Sequence, residues 1–149
     1  MTYIKESPEN LLATFKIRIF APYYNKNIRN DMKQIEVSRL TENFFESIGK
    51  EWMIVCAGNE AHYNMMTASW GGIGWLWNKP VAFIFIRPER YTFEFSEKCG
   101  FMTLSFLGNS AEARKIYNFC GSQSGRNVNK TMESGLMPVS VKIFFSRGL

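Results

Sequence analysis

Histidine is almost missing from this chain: His62 is the only one in 149 residues. That excludes a metal site built on several histidines, and no pair among Cys56, Cys99 and Cys120 has zinc-motif spacing. A Ser/His/Asp or Cys/His hydrolase would have to be built on His62, which lies in a polar turn. Three cysteines, an odd number, are too few for a disulfide framework. Cys56 sits in an apolar run and Cys120 at the end of an expected helix, so both read as buried free thiols in a reducing, cytoplasmic setting. No apolar run is long enough to span a bilayer. The first residues, with Lys5, Glu6, Pro8 and Glu9, do not read as a signal peptide. The phosphate-cradling loop GxxxxGKS/T is absent, and Gly71-Gly72-Ile73-Gly74 lacks the GxGxxG spacing. Charge of either sign is modest: 18 basic and 13 acidic residues leave +5. So small and dispersed an excess does not argue for a nucleic-acid surface and is compatible with an anionic small molecule or nucleotide.

What is present describes one domain with a sizeable core: 46% apolar and 21% charged residues. Residues 1–31 read as an extension. Leu11 to Phe20 is a strand or a short helix, and Met32 resembles a natural chain start. Thr41-Glu42-Asn43 predicts a helical turn with Phe44, Phe45 and Ile48 on one face and Gly49 as its left-handed stop. Trp52 to Ala57 reads as a strand followed by a Gly58-Asn59 turn, and Thr67 to Trp70 as a second strand. Gly71, Gly72 and Gly74 predict a bulge or tight loop. Val81 to Ile86 is uniformly apolar, which predicts a strand covered on both faces. A helix follows over Thr92 to Lys98 with Phe93 and Phe95 inward, then a strand over Phe101 to Leu107. Asn109-Ser110-Ala111-Glu112 resembles a capping box for a helix over Ala111 to Cys120, striped by Ile116, Phe119 and Cys120 and ended by Gly121. A last helix spans Val128 to Ser134 and closes at Gly135. The pattern is mainly β with short helices, and a barrel or closed sheet accounts for it better than βαβ alternation.

Three segments carry chemistry. Arg87-Pro88-Glu89-Arg90-Tyr91-Thr92 puts two guanidinium groups and two hydroxyls where an apolar strand gives way to a helix, a pattern suited to phosphate. The same turn also reads as a solvated loop with a Glu89–Arg90 surface pair. In Asn64 to Trp70, Thr67 and Ser69 share one strand face, small Ala68 permits close backbone approach, and Trp70 can cover a ring. The alternative is a plain strand whose Met65, Met66 and Trp70 fill core. Ser124-Gly125-Arg126, with Lys130 one turn into the next helix, is either a second anion site or a polar loop capped by Asn127. Flat aromatics, backbone donors and paired guanidiniums together suit a planar heterocycle with a phosphate tail.

Taken in order and spacing, these segments resemble the flavin reductase-like, FMN-binding split-barrel family, near its flavoredoxin branch. The resemblance rests on LTENFFESIGKEWMIVCAGN, YNMMTASWGGIGWLWNKPVAFIFIRPERYT, FMTLSF and FCGSQSGRNVNKTMESGLMPV, and covers about Leu40 to Val139. It implies a split β-barrel, usually a homodimer, that binds FMN non-covalently near the dimer interface. Its NxMTxSW segment falls on Asn64, Met66, Thr67, Ala68, Ser69 and Trp70, along the flavin. Its RPxRYT turn falls on Arg87, Pro88, Arg90, Tyr91 and Thr92, near the phosphate and ribityl chain. Its SGRxxxK segment falls on Ser124, Gly125, Arg126 and Lys130, also at the cofactor. The implied activity is transfer of electrons from NAD(P)H through FMN to free flavin or a redox partner protein; a flavoredoxin-like carrier without turnover is the alternative. No catalytic side chain is implied, because the cofactor carries the chemistry. Two departures stand out: residues 1–31 have no counterpart, and after about residue 139 the chain ends in SVKIFFSRGL where the family continues with further barrel strands. An open sheet edge, exposed apolar surface and a truncated, inactive member are the corresponding expectations.

Overall fold

The computed structural model describes Ile17–Ile19, residues 37–99 and residues 102–136. Expectations for the start at Met32, for Phe101 and for residues 137–149 lie outside the described residues. In chain order the elements are β1 (Ile17–Ile19), α1 (Phe44–Glu46), β2 (Met53–Gly58), β3 (Tyr63–Ala68), β4 (Gly71–Leu76), β5 (Lys79–Ile84), α2 (Tyr91–Lys98), β6 (Met102–Phe106), α3 (Ala111–Ser122) and α4 (Lys130–Ser134). They form a four-stranded sheet in the order β1-β6-β2-β3 and a separate two-stranded sheet, β4-β5. The fold is sheet-rich with short helices, and the described strands do not close into a barrel. β1, inside the expected extension, adds an edge strand parallel to β6.

β2 and β3 show why the apolar runs are so continuous. Side chains alternate across a strand, and both faces of this sheet are covered. Met53 and Val55 of β2 with Met66 and Ala68 of β3 face a cluster completed by Ile48, Ala82, Leu104 and Phe106. Ile54 and Met65 face the opposite way, onto Ala113, Tyr117 and Cys120 of α3. The hairpin between β2 and β3 turns at Gly58, whose φ of 128° suits glycine, and the Asn59 side chain accepts bonds from the Ala61 and His62 amides at 3.0 and 2.8 Å.

Several boundaries differ from expectation, each for a tertiary reason. Gly49 does not stop the first helix, which widens into a further turn over Ser47–Glu51; the chain reverses at Trp52, φ 76°. Trp52 is fixed there by edge contact with Tyr117 (6.3 Å) and by the Arg114 guanidinium (4.8 Å over its ring). Phe45 faces solvent and leaves Phe44 and Ile48 as the inward pair. The second strand lies earlier than expected, at Tyr63–Ala68, and Trp70 beyond it is 61% exposed, so it fills no core. Gly71, Gly72 and Gly74 form a regular strand instead of a bulge, and at Gly72 the absent Cβ leaves room for the ring of Phe83 opposite. The β4–β5 turn carries two consecutive left-handed residues, Trp77 (φ 47°) and Asn78 (φ 61°), the arrangement that matches strand twist in two-residue hairpins.

The Val81-to-Ile86 run is covered on one face only. Ala82, Ile84 and Ile86 turn inward, while Phe83 and Phe85 are half exposed and touch each other edge-on at 6.0 Å. Among the described residues no layer lies on that outer face.

α3 opens as expected, with Ser110 Oγ accepting from the Ala113 amide at 3.1 Å. The capping box is half formed, because Glu112 stands one residue before the reciprocal position. Its buried stripe is Ala113, Tyr117 and Cys120, with Ile116 and Phe119 half buried. Gly121 continues the helix instead of ending it and brings α3 close to Thr67: a Cβ would stand 3.4 Å from that side chain. α4 starts at Lys130, since Asn129 and not Asn127 caps it, accepting from the Met132 amide at 3.1 Å. Gly135, φ 71°, closes it as expected. No helix among the described residues is long and apolar enough to cross a membrane.

Candidate functional site

One end of β3, the first turn of α2 and the loop between α3 and α4 meet. Asn64 is the hinge of this junction. Its face of β3 looks toward α2, and its buried Nδ2 donates to Thr92 Oγ1 at 2.7 Å. Its Oδ1 lies directly against Gly125, where an added Cβ would collide with it, so this loop position requires glycine. Tyr91 stands beside Gly125 and stacks under Arg126, whose guanidinium carbon lies 4.6 Å from the ring centroid. Arg126 also pairs with Glu94, one helical turn beyond Tyr91. The loop holds itself by Ser124, whose carbonyl accepts from the Asn127 and Val128 amides and whose Oγ accepts from the Arg126 amide at 3.3 Å.

The start of β3 and the α3–α4 loop border an open cleft of about 400 Å³, lined by residues 61–65 and 125–131. That volume is within the range of small-molecule sites. Its walls are polar and basic: His62, Tyr63, Asn64, Arg126, Asn127, Asn129, Lys130 and Thr131. Tyr63 and Thr131 share a hydroxyl–hydroxyl bond of 3.0 Å across it. No group of three or more histidine, cysteine or acidic side chains among the described residues is placed to hold a metal ion.

Two cations near the cleft serve the helix behind it. Lys130 is buried, and its ammonium donates to Met65 O at 2.9 Å and Cys120 O at 2.7 Å. Arg90 donates from Nη1 to Gly121 O at 2.9 Å. The Cys120 and Gly121 carbonyls belong to the last turn of α3, which lacks intrahelical partners, so Lys130 and Arg90 act together as its C-terminal cap. Burial pulls the Lys130 ammonium below its ordinary pKa, opposed by Cys120 and reinforced by Arg90. The Cys120 thiol is pushed up by burial and pulled back in part by Lys130. Arg87 is apart from this group, exposed and paired with Glu89 at 3.2 Å; the pair in this turn is therefore Arg87–Glu89 and not Glu89–Arg90.

The sequence-selected residues thus divide. Asn64, Gly125, Arg126 and Lys130 line the cleft. Tyr91, Thr92, Ser124 and Arg90 stand directly behind these and fix them. Thr67 spends its hydroxyl on Tyr117 O at 2.6 Å, on the α3 face of the sheet. Met66 and Ala68 are core, and Ser69 and Trp70 lie past the far end of β3. Sequence reasoning passed over His62, Tyr63, Asn127, Asn129 and Thr131 as cleft residues. Each is a direct neighbour, or one residue removed, of a selected position, so the flanks of the selected segments were the available signal. No protein-family model, curated protein or solved structure matches the chain.

Proposed function

We propose that this chain is an FMN-dependent oxidoreductase of the flavin reductase-like split-barrel type, taking electrons from NAD(P)H and passing them to free flavin or a partner protein. The observation that carries the reading is the meeting of two segments singled out in the sequence on one cleft, Asn64 from β3 and Gly125, Arg126 and Lys130 from the α3–α4 junction, with Tyr91 and Thr92 of a third segment bracing Arg126 and Asn64 from behind. The cleft fits the anionic tail of FMN. Arg126 offers donors on a guanidinium backed by the Tyr91 ring. The Gly125 cradle brings backbone to the cleft wall without a side chain, and Tyr63, Asn127 and Asn129 line it with hydrogen-bonding groups suited to a polyol. When bound, FMN supplies the hydride-accepting and electron-passing chemistry. The protein's part is to bind, orient and exclude water.

On the same reading the four-stranded sheet and the β4–β5 hairpin are the two parts of a split barrel in a cytoplasmic homodimer. The outward aromatic face of Trp70, Phe83 and Phe85 supports that: large apolar groups gathered on one surface suit coverage by a second copy.

The test begins with a flavin absorbance spectrum of the purified protein and a fluorescence titration with FMN. NADH or NADPH is then added with excess FMN and loss of nicotinamide absorbance followed. Arg126→Ala should weaken FMN binding by about 1.5–3 kcal/mol, the value of a lost charged hydrogen bond. Multiple turnovers support the reductase; bound flavin that stays oxidised points to a carrier. Folded protein that leaves saturating FMN free ends the proposal.

A further inference from the structure

Arg126, the cation that lines the cleft, is already matched to an anion of the protein itself. Its guanidinium stands over the Tyr91 ring and one of its Nη2 donors is taken by Glu94 Oε1. Tyr91 and Glu94 are three residues apart in α2, so they present ring and carboxylate from one helix face. The ring is itself braced edge-on against buried Phe95 at 5.0 Å. The aromatic platform is therefore rigid, and the carboxylate is the replaceable part. Arg126 and Glu94 remain 46% and 41% exposed, and an ion pair at that exposure changes an equilibrium by only a few-fold. A phosphate dianion carries more charge than a carboxylate and matches the guanidinium fork with two acceptors.

We infer that Glu94 is a stand-in anion: it holds Arg126 in place at the cleft wall and must release it when a phosphate-bearing ligand enters. The inference rests on the flavin reading given above and adds a specificity device to it. An occupant enters fully only if its anionic end outcompetes a resident carboxylate. The carboxylate thereby sets a threshold for anionic occupants, which a phosphate clears more readily than a ligand ending in a single carboxylate and which uncharged riboflavin does not meet. A second consequence separates this role from a purely structural one. If Glu94 merely positioned Arg126 for the ligand, removing its charge would weaken binding. As a competitor, its removal tightens binding.

The experiment is a fluorescence titration of the whole chain with FMN and, in parallel, riboflavin, using wild type, Glu94→Gln and Glu94→Ala. Gln keeps the side-chain shape and ranks with Glu in helix propensity, and Ala guards against a new hydrogen bond from the amide. Both variants should bind FMN roughly two- to fivefold more tightly, as expected for release of an exposed competing pair, with riboflavin affinity unchanged. The gain should shrink at high salt, where exposed charges are screened. Wild type that binds FMN, with variants that bind it equally or more weakly, overturns the stand-in role and leaves the flavin reading intact. Wild type and variants that all leave FMN free overturn both.

Discussion

Replacing Lys130 by methionine removes a buried charge while nearly keeping its volume, and the structure fixes what that removal costs. The ammonium donates two short bonds, to Met65 O on the outer edge of the four-stranded sheet and to Cys120 O in the last turn of α3. A charged hydrogen bond is worth about 1.5–3 kcal/mol, and a buried carbonyl left without a donor costs about 1–3 kcal/mol. Against this stands relief from burying an ammonium, the same burial that lowers its pKa. Two bonds lost, with part returned as desolvation relief, leave a destabilisation of about 2–4 kcal/mol. With a urea slope of about 2 kcal/mol per molar, mid-range for small proteins, the midpoint should fall by roughly 1–2 M. Because the lost bonds join β3 to α3, the slope itself should hardly change. The assay is urea unfolding followed by tryptophan fluorescence, with Lys130→Arg as a companion that keeps the charge. An unchanged midpoint for Lys130→Met would refute the argument, since it would mean that neither carbonyl relies on this residue.

Gly125→Ala must push the Asn64 carboxamide away from Thr92, so it should cost about 1–3 kcal/mol of stability and loosen any cleft ligand, read by thermal melting and FMN titration; unchanged values would show the loop to be slack. Asn78→Val in the left-handed turn position should lose about 1–2 kcal/mol, whereas Asn78→Gly should be neutral or better, compared by chemical denaturation. Burial pushes the Cys56 thiol up to about 11 from 9.0, so its contribution is complete below pH 9 and is lost as pH rises through 11. The upper limit is about 2–3 kcal/mol. Lys130, with its pKa lowered, works in the opposite sense as pH approaches 10.5, so Cys56→Ala should flatten the alkaline fall in stability without abolishing every slope.

Much of the sheet was legible because burial on two faces leaves a plain trace: β2 is a run of apolar residues, and its partner strand carries Met65 and Met66 side by side. The helix starts were legible where a short polar side chain caps them, as Ser110 does. What escaped depends on contacts between residues far apart in the chain. A glycine stops a helix only where the packing lets it, and Gly49 and Gly121 both sit inside turns that continue, the second because α3 presses on Thr67. The β4–β5 reversal was hidden because its left-handed positions carry Trp77 and Asn78, and local preference alone would not place a tryptophan there. The one-sided cover of Phe83 and Phe85 is equally invisible in a run of apolar letters.

At the site the same distinction has a sharper form. Arg90, Lys130 and Arg126 are alike in sequence, three cations in segments with an anion-binding look. Their environments separate them. Arg90 and Lys130 point their donors at carbonyls of the α3 C-terminus, where their charge complements the helix dipole and joins three elements. Arg126 is the half-exposed one, backed by a ring and paired with a carboxylate at the cleft wall. A cation that closes a helix can still raise the potential of the space beside it, because nothing acidic accompanies Arg90 or Lys130 in the described bonds. On the proposed reading, Arg90 and Lys130 add positive potential beside the cleft while held for folding, and anion recognition falls on Arg126. Mutating the first two should lower stability and affinity together, and mutating Arg126 should lower affinity alone. Separate measurements of the two quantities on the three alanine variants would expose any error in that division.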